Sequence, residues 1–269
     1  MIKKDVIFIW IPKTAGTSVF HVFKKEGCQK LKYLFEFANF KNQGFVTFNH
    51  VNIYKLIRNN IVSKDFFNNA FKFTFVRNPW ERVVSLYFYR RLFHKYTRHL
   101  QSFSEFCKDL EKRFFKRNKI LKFYSINEKL KLILIKFCRL RFMFKFLERN
   151  KSLIYLIYKF FRNRLRIWRF SWGKIPQVGL HNSKGLSQAN PQTNWLIDEN
   201  GKIPIDFIGK FENLESDFQK LTKILGINAE LPHLTRTDHK NYRYYYNEMT
   251  KKIVEKIYSK DISIFDYKF

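Results

Sequence analysis

A short apolar run, Ile7 to Ile11, leads directly into Pro12-Lys13-Thr14-Ala15-Gly16-Thr17-Ser18, which in turn opens an apolar-periodic stretch. No other feature constrains the fold as strongly, because this is the layout of a strand, a tight turn and a helix N-terminus. The first N–H groups of such a helix have no intrahelical partner and point out of its end. With Lys13 beside them they can hold the oxygens of a phosphorylated ligand. Residues 5–10 are therefore expected to form a central strand and 17–27 the helix after it.

A second strand of the same kind is Phe71–Val76, whose nearly continuous apolar character suits a parallel strand covered on both faces. Arg77 and Asn78 follow it, and Pro79 stands where the first turn of a new helix tolerates a missing N–H. That helix is expected to run to about residue 95. Ligand groups in open parallel sheets lie beyond the carboxyl ends of the strands, which is where Arg77 falls. Ser85 lies on the same helix, and an arginine fork with a nearby hydroxyl suits a terminal phosphate. Arg82 is balanced between touching ligand and pairing with an acid such as Glu81. A Walker A loop carries its lysine after the last glycine, whereas Lys13 precedes Gly16. The strand at 71–76 also ends without the magnesium-binding Asp of a nucleotide hydrolase. Both departures count against a nucleotide-dependent kinase or hydrolase.

The rest of the chain supports an α/β layered core. Phe45–Phe48 reads as another short strand, Ser104-Glu105 as a helix start near 103, and Ile205–Phe211 as a late strand. A helix from Asn213 is expected to stop at Gly226, and a last helix spans about 247–259 before an aromatic close at Phe265–Phe269. Residues 179–192 form a polar loop.

Composition bounds the function. The 269 residues include 32 Phe and 14 Tyr, enough for one substantial core. Cys28, Cys107 and Cys138 are odd in number and far apart, so they read as ordinary thiols in a reducing compartment, with no metal site. The basic start MIKKDVIFIW is too short in apolar residues for a signal peptide, and no run of 18 apolar residues exists to span a membrane. A cytoplasmic protein is expected.

The net charge of +30 calls for anionic neighbours. Residues 112–170 alone hold 19 Lys/Arg against Glu128 and Glu148. Large apolar residues recur there at helical spacing, including Leu130, Ile133, Leu134 and Phe137. Two readings follow: helices packed on the core with a solvated charged face, or a basic amphipathic element lying on an anionic membrane or polymer. No zinc-finger, helix-turn-helix or RNP-like pattern supports a nucleic-acid-binding protein.

PKTAGTS and FVRNPWERVVSLYFY together resemble the 5′-phosphosulfate loop and 3′-phosphate motif of the carbohydrate-type sulfotransferases, the group that includes heparan sulfate 2-O-sulfotransferases and bacterial relatives. IDFIGKFENLESDF, LPHL and the C-terminal tyrosine-rich stretch resemble later parts of that family, so the likeness spans residues 5–95 and 176–267. The resemblance implies a P-loop-like three-layer fold with a central parallel sheet. It makes residues 1–269 a single sulfotransferase domain carrying a basic helical insertion at about 112–170. Lys13, Thr14, Gly16, Thr17 and Ser18 would hold the 5′-phosphosulfate of 3′-phosphoadenosine-5′-phosphosulfate (PAPS), and Arg77 and Ser85 its 3′-phosphate. The product would be adenosine 3′,5′-bisphosphate, and no metal is required.

The nucleophile would be a carbohydrate or glycan hydroxyl, and its proton needs a base. Histidine titrates near neutrality, and His50 follows a strand at the ligand-facing edge. FNHVNI resembles the family's glycine-histidine-valine segment, with Asn49 where the glycine falls. Lys13 would stabilise the charge appearing on the leaving phosphate. In Asn190–Leu196, Gln192 and Trp195 are candidates to bond and stack an acceptor sugar, against a reading of Trp195 as a buried anchor. Arg236, Thr237 and Lys240 form a basic patch whose structural reading is slightly ahead of closing over the cofactor. A polysaccharide, lipooligosaccharide or lipid-linked acceptor in a bacterial cytoplasm, with peripheral contact to the inner membrane, fits the charge; nucleic acid is disfavoured. The rivals are a non-catalytic anion- or nucleic-acid-binding protein and a nucleotide-dependent kinase.

Charge reversal at several of Arg139, Arg141, Lys145, Arg162 and Arg164 should leave adenosine bisphosphate binding intact. It should weaken attachment to anionic liposomes or acidic glycans, with strong salt dependence. Unchanged binding to both would make those charges a solvated face.

Overall fold

A computed structural model describes residues 5–32, 34–93, 102–120, 188–232 and 239–269. It shows a mixed α/β fold around a parallel sheet of five strands: β1 (Val6–Phe8), β2 (Gln29–Lys30), β3 (Phe45–Thr47), β4 (Phe71–Val76) and β5 (Phe207–Lys210), in the order β2-β3-β1-β4-β5. Every pairing is parallel, and Ile7 stands opposite Val46 on one side and Lys72 on the other.

Successive residues of a strand face opposite ways, and β1 uses both faces for core. Val6, Phe8 and Trp10 join a cluster with Phe23, Phe45, Phe73 and Phe218, whereas Ile7, Ile9 and Ile11 join another with Val46, Val83 and Val254. The first cluster is built largely of rings; Phe8 and Phe73 stack with centroids 4.8 Å apart and planes 6° from parallel. Lys72 is the charged exception on β4. Its ammonium donates to the Phe67 and Ala70 carbonyls at 3.1 and 2.5 Å and lies 3.3 Å from an Asp206 carboxylate oxygen.

The helix after β1, α1 (Gly16–Lys25), carries Lys24 and Lys25 in its last turn, where a helix dipole favours cations. Two short helices not anticipated from periodicity, α3 (Ile53–Arg58) and α4 (Lys64–Asn69), start at Asn52 and Ser63. Those side chains accept from Lys55 and Phe66 N–H, so the cap residues were the signal. A single-turn α2 (Leu34–Ala38) precedes β3.

Asn78 starts α5 (Pro79–Phe93) by accepting from Trp80 N–H at 3.0 Å. Ser102, rather than Ser104, opens α6 (Phe103–Ile120): it exchanges bonds with Glu105 in a capping box, and those bonds hold the Glu105 carboxyl below its usual range. Beyond β5 the chain forms a 3₁₀ turn at Phe211–Asn213, after a short α7 (Thr193–Leu196) that precedes that strand. Then come α8 (Leu214–Leu225), ended as expected by Gly226 at φ 68°, α9 (Glu248–Ile257) and α10 (Ser259–Ile264).

Residues 112–120 of the expected basic insertion are the end of α6, and 121–170 lie outside the described residues. Among the described residues no helix is long and apolar enough to cross a membrane.

The observed β1 is shorter than the expected 5–10 because residues 9–11 leave the ladder to enter the turn, with Ile9 N–H still bonding Phe73 O at 2.9 Å. Gly16 is required there for space rather than for backbone freedom. A Cβ on it would lie 2.0 Å from Trp10 Nε1, and Trp10 is itself wedged against Phe8 and Phe20. Gly16→Ala should destabilise the protein by about 1–3 kcal/mol through overpacking, measurable as a fall in thermal midpoint. An unchanged midpoint would mean that Trp10 can move.

Candidate cofactor and catalytic site

After β1 the chain crosses to β2 and β3, whereas β5 lies on the far side of β4. The carboxyl ends of β1 and β4 therefore open a crevice at the point where the strand order reverses, the usual ligand position in such sheets.

On the β1 side, Lys13 (φ 70°) and Ala15 (φ 61°) take left-handed backbone conformations without being glycine. Strain of this kind is characteristic of sites where the backbone must present its N–H groups. The first intrahelical bond of α1 runs from Val19 N–H to Ala15 O, so the N–H groups of Gly16, Thr17 and Ser18 have no intrahelical acceptor. Ala15 supplies no capping side chain and the first turn holds no acid. Thr17 is exposed and Ser18 buried. The Thr14 hydroxyl turns back to donate to Ile11 O at 3.0 Å, tightening the turn.

On the β4 side, the Arg77 guanidinium stacks 3.8 Å over the Phe211 ring. It donates to Glu81 Oε1 at 3.1 Å and to Lys13 O at 3.4 Å, and its buried Nε has no hydrogen-bond partner. Ser85 is buried on α5. Arg82 resolves differently from either option weighed for it. Each of its three nitrogens donates to a backbone carbonyl, Pro12 at 3.0 Å, Asn190 at 3.0 Å and Gln188 at 2.6 Å, so it ties the turn to the 188–190 segment. Glu81 pairs with Arg77, four residues back, rather than with its neighbour.

Lys13 lies 4.2 Å from the centre of the Tyr89 ring. Burial lowers its pKa to about 8, with Arg77 and Arg82 pushing the same way. Three cations thus converge on one crevice. An oxyanion there would relieve that repulsion and meet the unpaired Arg77 Nε and the free helix N–H groups. These residues fit a phosphate- or sulfate-bearing ligand.

His50 sits just beyond β3, 7% exposed, with Nδ1 2.8 Å from Trp10 O. A carbonyl only accepts, so Nδ1 carries the proton and Nε2 is the basic nitrogen of the neutral ring. Asn49 (φ 43°) and His50 (φ 66°) are consecutive left-handed residues. Asn tolerates that region best among residues with a side chain, which explains how it can stand where the family pattern has glycine.

Gln192 and Trp195 are both fully buried and present neither side chain to a ligand in this structure. Gln192 pairs with the Arg77 backbone, and Trp195 packs edge-on to His50 with ring centroids 6.2 Å apart. Sequence reasoning did not single out Phe211, Tyr89 or Lys30, and it weighed Glu81 only as a partner for Arg82. Lys30 lies 3.8 Å over the Trp10 ring, and its pKa falls to about 8 through burial and Lys32. Only the four-residue spacing of Arg77 and Glu81 was a usable signal. Of the basic patch, Arg236 and Thr237 lie outside the described residues, and Lys240 sits 4.2 Å over the Tyr244 ring. Among the described residues no cluster of His, Cys, Asp and Glu could hold a metal.

Residues 2–96 and 180–268 match the model of the Sulfotransferase family. The chain belongs to this family. No curated protein and no solved structure gives a significant match. The matched segments bracket the basic middle of the chain and contain both halves of the crevice.

An anion bound at Lys13 would stabilise its ammonium, so binding should weaken as pH rises through the unliganded pKa. Affinity for adenosine 3′,5′-bisphosphate should fall by about tenfold or more between pH 7.5 and 9.5, as read by calorimetry. Lys13→Met should bind more weakly with a flat profile. A wild-type profile equally flat would place Lys13 away from the anion.

Proposed function

We propose that this protein transfers the sulfuryl group of PAPS to a hydroxyl of a carbohydrate or glycan. The observation that carries the reading is the meeting of the Lys13 turn with Arg77, in hydrogen-bond contact at the strand-order reversal, while the Trp10 carbonyl that leads into the turn holds His50 in a tautomer that suits a base. Family membership supports the same chemistry.

When bound, PAPS supplies an electrophilic sulfur and a bisphosphate leaving group. Lys13, Thr14, Gly16, Thr17 and Ser18 would hold the 5′ end, with Lys13 and the helix N–H groups facing the oxygen on which charge develops. Arg77 and Ser85 would hold the 3′-phosphate. His50 Nε2 would take the acceptor proton, with the Trp10 carbonyl steadying the imidazolium that results. The +30 charge favours an anionic or lipid-linked acceptor in a cytoplasmic or peripheral membrane setting. Gln192 stands behind the site, its polar groups bonded to Arg77 and Asp261, and Trp195 backs the His50 ring.

The test combines labelled PAPS with fractionated cell glycans. Sulfate should appear on a glycan fraction, and adenosine 3′,5′-bisphosphate should bind where ATP does so poorly. His50→Ala should cut turnover by roughly 10²–10⁴-fold with cofactor binding and thermal midpoint near wild type. Preference for ATP, or no labelled product from any fraction, would overturn the reading. Nearly normal turnover of His50→Ala would remove His50 as the base.

A further inference from the structure

Behind Arg77 lies a buried polar relay that the crevice itself does not use. Asp261, on α10, is fully buried. Its Oδ2 accepts from Gln192 N–H at 2.6 Å and from Gln192 Nε2 at 3.4 Å, and its Oδ1 accepts from Thr193 N–H at 2.9 Å. The Gln192 carboxamide in turn makes a reciprocal pair with one backbone unit. Arg77 N–H donates to Oε1 at 2.8 Å, and Nε2 donates to Arg77 O at 2.8 Å.

Only one amide orientation satisfies these contacts. Flipped, the carboxamide would set its NH₂ against the Arg77 N–H and its oxygen against both the Arg77 carbonyl and the Asp261 carboxylate. Asp261 therefore locks the flip of Gln192, and Gln192 fixes the peptide at which β4 ends. That peptide has left the β4–β5 ladder, whose last paired residue is Val76, so this side chain takes over the work of a neighbouring strand.

The same segment holds the other half of the crevice. Arg82 joins Pro12 O to the Asn190 and Gln188 carbonyls, and the Tyr258 hydroxyl donates to Ala189 O at 2.6 Å. The groups facing Asp261 are the Gln192 and Thr193 amides, the Thr193 side chain and, through space, the Arg82 guanidinium and the Tyr258 and Tyr267 hydroxyls. Burial raises its pKa, and the backbone N–H groups and Arg82 oppose that rise.

We propose that Gln192 and Asp261 are positioning residues for Arg77, setting from the C-terminal helices how strongly the site prefers a 3′-phosphorylated nucleotide. This rests on the assignment of Arg77 to the 3′-phosphate. Neither residue touches ligand. Their effect is to hold the Arg77 backbone so that its guanidinium emerges toward the crevice over Phe211.

The experiment compares calorimetric affinities for adenosine 3′,5′-bisphosphate and adenosine 5′-phosphate in protein checked for folding by thermal melting. Gln192→Met, which keeps the bulk and removes the paired bonds, should lower the bisphosphate-to-monophosphate affinity ratio by roughly tenfold. Arg77→Ala should lower it at least as much, and the double variant should lose little more than Arg77→Ala alone. Gln192→Glu adds a readout that loss of stability would not produce. Its carboxyl, buried beside Asp261, should titrate high, and its protonated form regains a donor for the Arg77 carbonyl. The ratio for Gln192→Glu, taken relative to wild type, should therefore recover as pH falls from 8 to 6. A pH-independent ratio would overturn the proposal, as would a Gln192→Met ratio equal to wild type while Arg77→Ala lowers it. A ratio unchanged by Arg77→Ala would instead overturn the 3′-phosphate assignment itself, and the relay with it.

Discussion

Two parallel strands that lie side by side and then part create the ligand edge of this protein. β1 and β4 share a register in which Val6 faces Phe71 and Phe8 faces Phe73. Past Ile9 the β1 chain turns away, β4 stays paired with β5 through Val76, and the backbone beyond each has no ladder partner. Everything proposed for the crevice depends on those unpaired ends, because they release the α1 N–H groups and the Arg77 side chain toward the same space. The apolar faces of β1, filled largely by rings on one side and by aliphatics and rings together on the other, keep the parting point rigid.

Charge is concentrated there against its own repulsion. Lys13, Arg77 and Arg82 lie close enough for the two arginines to lower the lysine pKa, yet of the three, among the described residues, only Arg77 makes an ion pair, while Asp261 reaches Arg82 through space. Arg82 is held by three carbonyls, which satisfy its donors without neutralising it. The protein therefore stores unfavourable electrostatics and left-handed backbone at Lys13, Ala15, Asn49 and His50. An anion would relieve the first of these. Stiff surroundings sustain the second, and Trp10 is central to them: it packs against Gly16, lies under Lys30 and gives its carbonyl to His50.

Much of the architecture was legible in the chain. The apolar runs at Ile7–Ile11 and Phe71–Val76, the proline at 79 and the glycine at 226 carry strong local signals, and each marks a strand, helix start or helix stop in the structure. β2 was not legible, since a two-residue polar edge strand has neither periodicity nor β-branched residues. The small helices α3 and α4 escaped because six residues are too few to show an apolar period, although their Asn and Ser caps were visible.

The sequence by itself determined the strand–turn–helix at Lys13, the arginine following β4 and the family to which they belong, because these rest on contiguous residues and backbone preference. Tertiary structure alone decided what each polar side chain does with its bonds. Gln192 read as a sugar contact from its neighbours in the chain, yet it lies buried between Arg77 and Asp261. Arg82 reads from its neighbours as balanced between a ligand and an acid such as Glu81, yet it serves carbonyls from distant segments, and Glu81 serves Arg77. The physical reason is that a buried donor or acceptor must find a partner wherever packing places one, and that partner is set by which strands and helices meet, not by the residues on either side.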